Sequence, residues 1–361
     1  MKKQIAIVAP SISNVGGAER TAAMLANSLD EYGYNVNVCV MSKKQPGFKL
    51  NENINYYNID SEIKASNEIN RTLERLKWLY TFLSTNRIEL VIGYTIQGGL
   101  FCSILTKFYP FKCIVCERQD PNQFSRFARK LRNFNYRFAS AGIFQTREAQ
   151  QYFADIVPKS IVIPNFLDLQ NMPDVVPFRK RNKTIITAGR LVKAKDHKML
   201  IDAFKRISKK HTEYKLQIWG EGPMRAELQK YIDINDLALK VELPGRTDRI
   251  FEKMRCARLF VLSSKYEGYP NALLEAMALG LPAISTDCPC GGPRDIISPG
   301  ENGQLVSVGD SKELAREIDR LLEDEEMLQR YSQNALIRRS TNDKEVLIPK
   351  WIDFIEKLRN D

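Results

Sequence analysis

The chain has 361 residues with 43% apolar and 27% charged content, which is enough for two domains that each bury a core. Lysine and arginine outnumber aspartate and glutamate by 54 to 43, and more than half of this excess lies in residues 1–170. A basic balance indicates an anionic partner, such as a phosphorylated substrate, a membrane surface or nucleic acid. The sequence contains no run of about 18 apolar residues, so we expect no membrane-spanning helix.

Seven scattered cysteines and two histidines limit the chemistry of the chain. An odd number of cysteines in a long chain is typical of a reducing cytoplasm rather than of a disulfide framework. Cys113 and Cys116 form a C-x-x-C pair, but KCIVCE reads as a strand, on which residues three apart point to opposite faces. With only His197 and His211 present, neither a histidine zinc site nor a Ser-His-Asp triad is expected. We therefore expect a cytoplasmic protein without a metal site.

The first part of the chain alternates short apolar strands with amphipathic helices. The predicted strands are IAIVAP, YNVNVCVMS, IELVIGYT, KCIVCE, AGIFQT and SIVIPN, and the first predicted helix spans about 18–32. Such alternation predicts a parallel sheet that is covered on both faces. We assign residues 1–170 to this first domain.

The segment LQNMPDVVPFRKRNK, at 169–183, breaks the alternation with two prolines and a basic cluster, and it predicts a linker at 171–183. The alternation restarts with TIITAGR and predicts a second domain over 184–342. A last helix within 343–361 is long enough to return to the first domain. The fold class is therefore α/β with two doubly wound domains, and the natural ligand site is a cleft at the carboxyl ends of their strands.

Two loops at predicted strand ends carry groups that suit phosphate. ITAGRLVKAKDH places Arg190 at the end of a strand and Lys195 just before a helix, which suits a diphosphate. For either residue taken alone, a solvated surface cation is the favoured interpretation. In LPGRTDRI, Gly245 and Arg246 could meet a flat ring or a phosphate. The turn in IWGEGPMRAEL, by contrast, is explained mostly by glycine turn geometry.

The segment SSKYEGYPNALLEAMALGLP, at 263–282, sets two carboxylates around a helix start. Glu267 lies on the loop, Pro270 and Asn271 open the helix, and Glu275 follows about one and a half turns later. The free backbone N–H groups of a helix start suit a phosphate, and carboxylates accept hydrogen bonds from hydroxyls. This layout fits ribose, diphosphate and sugar in a row. Solvated glutamates are the alternative, which is weak for Glu275 because its surroundings are apolar.

Taken in order, G-R-L-x-x-x-K, G-E-G-P and E-G-Y-P-N-x-x-x-E-A-M-A-x-G-x-P resemble the retaining GT-B glycosyltransferases of group 1, or family 4. The N-terminal loop G-G-A-E-R resembles that family too, and the resemblance is densest over 186–310. It implies the GT-B fold, with two Rossmann-like domains facing a central cleft. It also implies metal-independent transfer from a nucleotide-diphosphate sugar, with no cofactor and with retention of the anomeric configuration.

The resemblance assigns a role to each matching position. The implied donor-binding residues are Gly16, Gly17, Gly189, Arg190, Lys195, Gly245, Arg246, Glu267, Gly268, Tyr269, Pro270, Asn271 and Glu275. Arg190 and Lys195 would stabilise the leaving diphosphate, Glu267 would hold hydroxyls of the transferred sugar, and Glu275 would bind the ribose.

One departure from the family concerns the end of a strand in the first domain. Many relatives carry a histidine there, whereas this chain has none before residue 197 and reads CERQDP instead. Glu117, Arg118 and Asp120 are the candidates for that position, and we expect Arg118 to contact the ligand.

The segment FSRFARKLRNFNYRF, at 124–138, predicts an amphipathic helix on the acceptor side. Its apolar stripe, which we expect to pack on the sheet, consists of Phe127, Leu131, Phe134 and Phe138. Its cations, which we expect at a surface that meets an acceptor diphosphate or anionic lipid, are Arg126, Arg129, Lys130 and Arg132. The resemblance implies an acceptor that is a glycan or is linked to polyprenyl diphosphate, at the inner face of the cytoplasmic membrane. We expect UDP-hexose or UDP-N-acetylhexosamine as donor.

Three alternatives remain open. A basic nucleic-acid-binding protein would need a reading module or stacking aromatics on a basic sheet, and neither is evident, so we expect no nucleic acid partner. A nicotinamide dehydrogenase would need G-x-G-x-x-G in its first loop, which reads GGAER here. A GT-B scaffold that binds without turnover is disfavoured by the intact set of charged residues.

Overall fold

The computed structural model describes residues 3–12, 16–65 and 67–360. The chain divides into two units. The first unit comprises residues up to 166 together with those from 345 onward, and the second unit comprises 167–344.

The first unit is a seven-stranded parallel sheet with helices. Its strands are β1 (Gln4–Ala9), β2 (Asn35–Val40), β3 (Asn55–Asn58), β4 (Leu90–Tyr94), β5 (Lys112–Cys116), β6 (Ala141–Phe144) and β7 (Ser160–Val162). Its helices are α1 (Gly17–Glu31), α2 (Ile59–Glu62), α3 (Glu68–Thr85), α4 (Thr95–Leu105), α5 (Arg126–Tyr136) and α6 (Arg147–Tyr152). The strand order is β3-β2-β1-β4-β5-β6-β7.

The second unit is a six-stranded parallel sheet of the same kind. Its strands are β8 (Thr184–Ala188), β9 (Lys215–Trp219), β10 (Val241–Gly245), β11 (Leu259–Leu262), β12 (Ala283–Thr286) and β13 (Gly303–Val306). Its helices are α7 (His197–Ile207), α8 (Arg225–Ile234), α9 (Ile250–Arg255), α10 (Asn271–Ala278), α11 (Gly292–Ile296), α12 (Ser311–Glu323), α13 (Glu325–Ala335) and α14 (Ile337–Thr341). The strand order is β10-β9-β8-β11-β12-β13.

Both sheets reverse their strand order at one point, between β1 and β4 in the first unit and between β8 and β11 in the second. In β1, Ile5 pairs with Leu90, and in β8, Ile185 pairs with Leu259. The loops that leave two such neighbouring strands diverge to opposite faces of the sheet and open a crevice at the carboxyl edge, where doubly wound proteins bind ligands. The site must therefore be sought after β1 and β4, and after β8 and β11.

Each unit has its own apolar core, built by strands that are buried on both faces. Residues 5–9 of β1 are all buried, as are all residues of β11. This burial explains why the strands read as continuous apolar runs rather than as alternating patterns. None of the described helices is long and apolar enough to cross a bilayer.

The final helix, α15 (Lys344–Asn360), packs into the core of the first unit through residues that include Leu347, Trp351 and Ile355. Trp351 is fully buried. The helix is further held by Arg359, whose guanidinium lies 2.6 Å from the Glu89 carboxylate. The first unit is thus completed by the far end of the chain.

The prediction of a linker over 171–183 is wrong, because this segment packs on the second unit. Phe178 is buried in that unit's core, and the first unit ends at residue 166 rather than at 170. Arg181 is buried and donates to the carbonyl oxygens of Gly280 (2.6 Å) and Leu279 (3.0 Å), just after α10. The basic residue that suggested a solvated linker instead satisfies carbonyls at a helix end.

Candidate active site

The reversal point of the second unit brings Lys195 and Glu267 together. Lys195 follows β8 and Glu267 follows β11, and the Lys195 ammonium forms an ion pair with the Glu267 carboxylate. The Ser264 hydroxyl donates to the same carboxylate oxygen at 2.6 Å. The Lys195 and Glu267 side chains are 21% and 13% exposed, so this pair is partly shielded yet reachable from solvent.

The turn that carries Arg190 and Lys195 is fixed by its own backbone bonds and by a buried histidine. His197 begins α7, is 4% exposed, and has its Nε2 atom 3.3 Å from the Arg190 carbonyl oxygen. Burial lowers the pKa of His197 to about 4, aided by nearby Lys195 and opposed by the bond to Arg190. The His197 imidazole is therefore neutral, and its Nε2–H donates to the Arg190 carbonyl oxygen. The Arg190 side chain is exposed.

Further contacts tie this turn to the loop after β11. The Ser263 hydroxyl donates to the Lys195 carbonyl oxygen at 2.9 Å, and the Lys265 N–H donates to the Ala194 carbonyl oxygen at 2.8 Å. Ser263 and Ser264 are both buried. Sequence reasoning did not single out these serines or His197, although their position directly after strand ends was available as a signal.

Two glycines allow the G-E-G-P turn to lie against the Arg190 turn. A Cβ on Gly220 would lie 1.9 Å from the Gly189 carbonyl oxygen, and one on Gly222 would lie 2.4 Å from that of Leu191. Gly220 has a φ of +142°, which L side chains rarely adopt. The turn therefore supports the backbone at Gly189 and Arg190. This agrees with the interpretation that glycine turn geometry explains most of the G-E-G-P segment.

The loop before α10 is held in place by backbone pairing. The Glu267 N–H donates to the Pro289 carbonyl oxygen at 2.8 Å, and the Cys290 N–H donates back to that of Glu267 at 2.9 Å. Gly268, which follows Glu267, is closely packed as well, because its carbonyl oxygen would lie 2.0 Å from a Cβ on Gly292. Pro270 is the N-cap residue of α10 and Asn271 its first residue.

Tyr269 lies in the same loop but is 6% exposed, and its hydroxyl accepts a hydrogen bond from the Asn342 side chain at 3.1 Å. Burial raises the pKa of Tyr269 to about 12, with Arg338 and Asn342 opposing the rise. The ring is part of the unit's core, so only the Tyr269 backbone is placed to serve a ligand.

The remaining donor-side residues of the second unit differ in how far they are exposed to solvent. Glu275 is 5% exposed on α10, in a helix whose neighbouring residues are buried and apolar. Gly245 ends β10 with a φ of +92°, and Arg246 after it is exposed. Among the described residues no group of three His, Cys, Asp or Glu side chains could hold a metal ion.

In the first unit a polar group collects around Arg118 at the end of β5. The guanidinium lies 4.5 Å from the ring centre of Tyr94 and donates to the Asn165 side-chain oxygen at 3.3 Å. The Tyr94 hydroxyl lies 2.7 Å from that of Thr21 on α1. Arg118 is 7% exposed. Tyr94, Thr21 and Asn165 are strand-end or helix-start residues that sequence reasoning missed.

The first loop of this unit is described only in part. Gly16 is the half-buried N-cap of α1 and Gly17 is its exposed first residue. Both therefore sit at the start of a 15-residue helix that follows β1.

The prediction that Arg132 lies at a surface is wrong. Arg132 is fully buried, and its guanidinium lies 3.6 Å from the Glu117 carboxylate, which is buried too. It also donates to the Pro121 carbonyl oxygen at 3.1 Å and to the Tyr152 hydroxyl at 3.1 Å. Burial raises the pKa of Glu117 to about 7, with Arg132 as the main opposing influence. Arg132 supports the loop after β5 and does not meet an acceptor. Arg126 and Lys130 are exposed, and Arg129 is half-buried.

The expectation that the apolar stripe of α5 packs on the sheet is also wrong. The buried face of the helix is formed by Arg132, Asn135 and Tyr136. The four stripe residues are exposed, from 41% for Phe138 to 77% for Phe127. The buried Glu117 carboxylate explains this reversal, because it needs a cation from the helix that covers it.

Comparison with known proteins gives the family of the second unit. Residues 169–338, nearly the whole second unit, match the family model described as glycosyl transferases group 1. The second unit belongs to the group 1 glycosyltransferases. The amylovoran biosynthesis glycosyltransferase AmsD of Erwinia amylovora is 26% identical to this chain, over 98% of this chain and 99% of AmsD.

Two further likenesses are to a named enzyme and to a solved structure. An N-acetylgalactosaminyltransferase of Campylobacter jejuni, named for a diphospho-undecaprenol-linked substrate, is 31% identical over 54% of this chain and 53% of its own chain. The crystal structure of Anabaena HepE with UDP and glucose superposes with a TM-score of 0.82, at 18% identity, over 98% of this chain and 99% of HepE. The two Rossmann-like units are those of the GT-B fold, as expected.

Proposed function

We propose that this group 1 glycosyltransferase transfers a sugar from a nucleotide-diphosphate sugar, with retention of the anomeric configuration, during the synthesis of a surface polysaccharide or glycoconjugate. The observation that carries the proposal is the contact of Lys195 with Glu267 at the reversal point of the second sheet. This contact places a cation that can bind a diphosphate beside a carboxylate that can accept hydrogen bonds from sugar hydroxyls, near the start of a helix.

The residues divide the work as follows. Arg190, Lys195 and the backbone N–H groups at the start of α10 bind the diphosphate, with Gly189 and Gly268 leaving room for it. Glu267 holds hydroxyls of the transferred sugar, and Glu275 binds the ribose. Gly245 and Arg246 lie on the side of the base, and Gly16 and Gly17 pass close to the sugar.

In the transfer step the bond between the anomeric carbon and the diphosphate oxygen breaks, and an acceptor hydroxyl bonds to that carbon on the same face. The acceptor proton passes to the leaving diphosphate, so atoms and charge balance. Arg190 and Lys195 stabilise the negative charge that develops on the leaving group, which is the electrostatic work a divalent metal does elsewhere. The step therefore proceeds without a metal or other cofactor.

The donor is a UDP-linked hexose or N-acetylhexosamine, for which the fold shared with a UDP-binding glycosyltransferase is the support. The acceptor is a glycan or a polyprenyl-diphosphate-linked sugar at the inner face of the cytoplasmic membrane, with the named substrate of the Campylobacter relative as support. In the first unit, Arg118 contacts the reacting sugar, and Arg126, Arg129 and Lys130 attract the acceptor diphosphate.

A thermal-shift screen against nucleoside diphosphates and their sugars, with EDTA present, tests the donor half of the proposal. A ligand that binds only the folded state raises the melting temperature. We expect stabilisation by one nucleotide class and a much smaller shift in Lys195→Ala. Lys193→Ala, which removes an exposed lysine two positions earlier in the same turn, should respond like the unmodified protein.

The same screen has clear contrary outcomes. Stabilisation that disappears with EDTA would contradict metal independence. No shift with any nucleotide, together with a shift caused by DNA or RNA, would overturn the proposal in favour of nucleic-acid binding.

A further inference from the structure

Apolar side chains left in solvent concentrate on one region of the first unit. More than half of the large apolar side chains that are exposed in the described chain lie on α3, on the turn after α4, and on or just after α5. They are Ile69, Leu73, Tyr80, Phe108, Phe127, Leu131, Phe134 and Phe138. Their exposed fractions range from 41% to 77%. We call this set, with the lysines that join it, the apolar–basic surface.

The turn after α4 contacts residues of this surface on both sides. Phe108 and Leu105 line a groove of about 340 Å³ together with Leu76, Lys77 and Tyr80 of α3. The ammonium of Lys107, beside Phe108, lies 3.9 Å from the ring centre of Phe138 and 5.1 Å from that of Phe134. The turn after α4 therefore joins the exposed residues of α3 to those at the end of α5. A continuous exposed apolar patch marks an interaction site.

The charge of the surface identifies its partner. Lys77 and Lys107 lie within it, Arg126, Lys130 and Arg137 flank the stripe of α5, and residues 121–147 contain no aspartate or glutamate. Of the two carboxylates on α3, that of Glu68 lies 2.6 Å from the Arg71 guanidinium, and that of Glu74 accepts from the backbone N–H groups of Lys64 and Ala65. An anionic partner is therefore complementary to this surface.

The form of the surface distinguishes a bilayer from a protein or nucleic acid. Aromatic side chains next to lysines and arginines are the composition of helices that lie in a membrane interface, where rings enter the acyl boundary and cations reach the lipid phosphates. A protein that binds nucleic acid presents aromatic rings on a sheet, or a groove that follows the nucleic-acid backbone, whereas these rings lie on helices and the turns that follow them.

We propose that the apolar–basic surface docks this glycosyltransferase on an anionic lipid bilayer, with Phe108, Phe127, Phe134 and their neighbours inserted below the head groups. This inference rests on the proposed function only for its purpose, which is to hold the enzyme where a lipid-linked acceptor lies. The binding itself does not require the transfer reaction.

Co-sedimentation of the full-length protein with vesicles tests the inference without measuring activity. We expect strong binding to phosphatidylcholine vesicles that contain phosphatidylglycerol, weak binding to pure phosphatidylcholine, and weaker binding at high salt. Phe108→Ser and Phe134→Ser should each weaken binding about ten-fold, and Lys130→Gln about five-fold. Leu239→Ser, at a 90% exposed position of the second unit, is the matched control and should leave binding unchanged.

Three results would overturn the inference. The first is no binding of the unmodified protein to anionic vesicles, and the second is binding by Phe108→Ser and Phe134→Ser that is as strong as that of the unmodified protein. The third is retention on DNA or on another protein that the same variants abolish while vesicle binding persists. Transfer to a soluble acceptor, measured on the unmodified protein, separates this inference from the proposed function. If the unmodified protein transfers sugar but does not bind anionic vesicles, only the docking surface is contradicted. If it binds anionic vesicles but does not transfer sugar, only the proposed function is contradicted.

Discussion

At the scale of single residues, the site combines exposed cations with buried groups that hold them. Arg190 is exposed and Lys195 half-buried, whereas His197, Ser263 and Ser264 beneath them are buried and bond to their backbone or partner. A ligand-binding residue that is held in this way loses less conformational entropy on binding.

Glu267→Ala and Lys195→Ala should each lower transfer at least about a hundred-fold while leaving the fold intact, because each removes a group that acts on the sugar or the leaving diphosphate. Initial rates with radiolabelled nucleotide sugar would measure the loss, and far-ultraviolet circular dichroism would monitor the fold. Lys193→Ala should keep normal turnover. Near-normal turnover in either site variant would contradict the assignment of the site.

His197 is predicted to position Arg190 rather than to act on the substrate. His197→Phe loses the Nε2–H donor to the Arg190 carbonyl, so we expect a raised KM for the donor with a smaller change in kcat. His197→Gln keeps an N–H donor and should recover most of the affinity. A normal KM in His197→Phe would contradict this role.

The same histidine makes stability depend on pH. Its pKa is about 4 in the folded protein and 6.5 ordinarily, so between these values only the unfolded chain takes up the proton. Stability is therefore complete above about pH 6.5 and declines as the pH falls toward 4, by about 3 kcal/mol in total. His197→Gln should remove this part of the acid sensitivity in urea unfolding measured across that range.

At the scale of elements, the packing of two turns and the buried face of one helix depend on the groups that they contact. The G-E-G-P turn packs so closely on the Arg190 turn that a Cβ on Gly220 would not fit, and α5 must supply a cation to a buried carboxylate. Both requirements come from partners distant in sequence, and both can be tested by substitution.

Gly220→Ala should cost far more stability than Gly309→Ala. Both glycines have a positive φ, but a Cβ at Gly309 meets nothing within 4 Å, whereas one at Gly220 collides with the Gly189 carbonyl. We expect about 1 kcal/mol for Gly309→Ala and more than about 3 kcal/mol, with weakened nucleotide binding, for Gly220→Ala. Equal urea midpoints for the two variants would show that the close approach is unimportant.

Arg132→Met should destabilise the first unit by about 3 kcal/mol, because the buried Glu117 carboxylate loses its cation. Since the pKa of Glu117 is already raised by burial, the loss should be larger at pH 8 than at pH 6, where the carboxyl is largely protonated. The double variant Arg132→Met with Glu117→Gln should recover most of the stability in urea unfolding. A single variant as stable as the parent at both pH values would contradict the pairing.

At the scale of the whole molecule, each unit has a core of its own, and the first is completed by α15 from the end of the chain. Trp351→Ala should remove about 3 kcal/mol or more from the first unit alone. Amide hydrogen exchange should accelerate in β1 and β4 and remain unchanged in β8 and β11. Val346→Ala, at an exposed position of the same helix, should change neither. Equal acceleration in both units would show that they unfold together.

The sequence alone determined the two parallel sheets and the resemblance of the second unit to group 1 glycosyltransferases, and it predicted that Lys195 and Glu267 lie at one site. Strands buried on both faces read as unbroken apolar runs, and the donor-side motifs occupy adjacent strand ends, so local patterns were sufficient. The short polar strand β3, NYYN, has no such pattern and was not predicted. His197, Ser263 and Ser264 carried no motif.

Only the tertiary structure decided which face of α5 is buried and where residues 171–183 belong. The period of α5 predicts an apolar stripe correctly, but it cannot reveal that the sheet presents a buried carboxylate to the helix. The basic residues near 181 likewise look solvated until the carbonyls after α10 are placed beside them. In both cases a charge is buried because its partner comes from a distant part of the chain, and sequence periodicity contains no information about that partner.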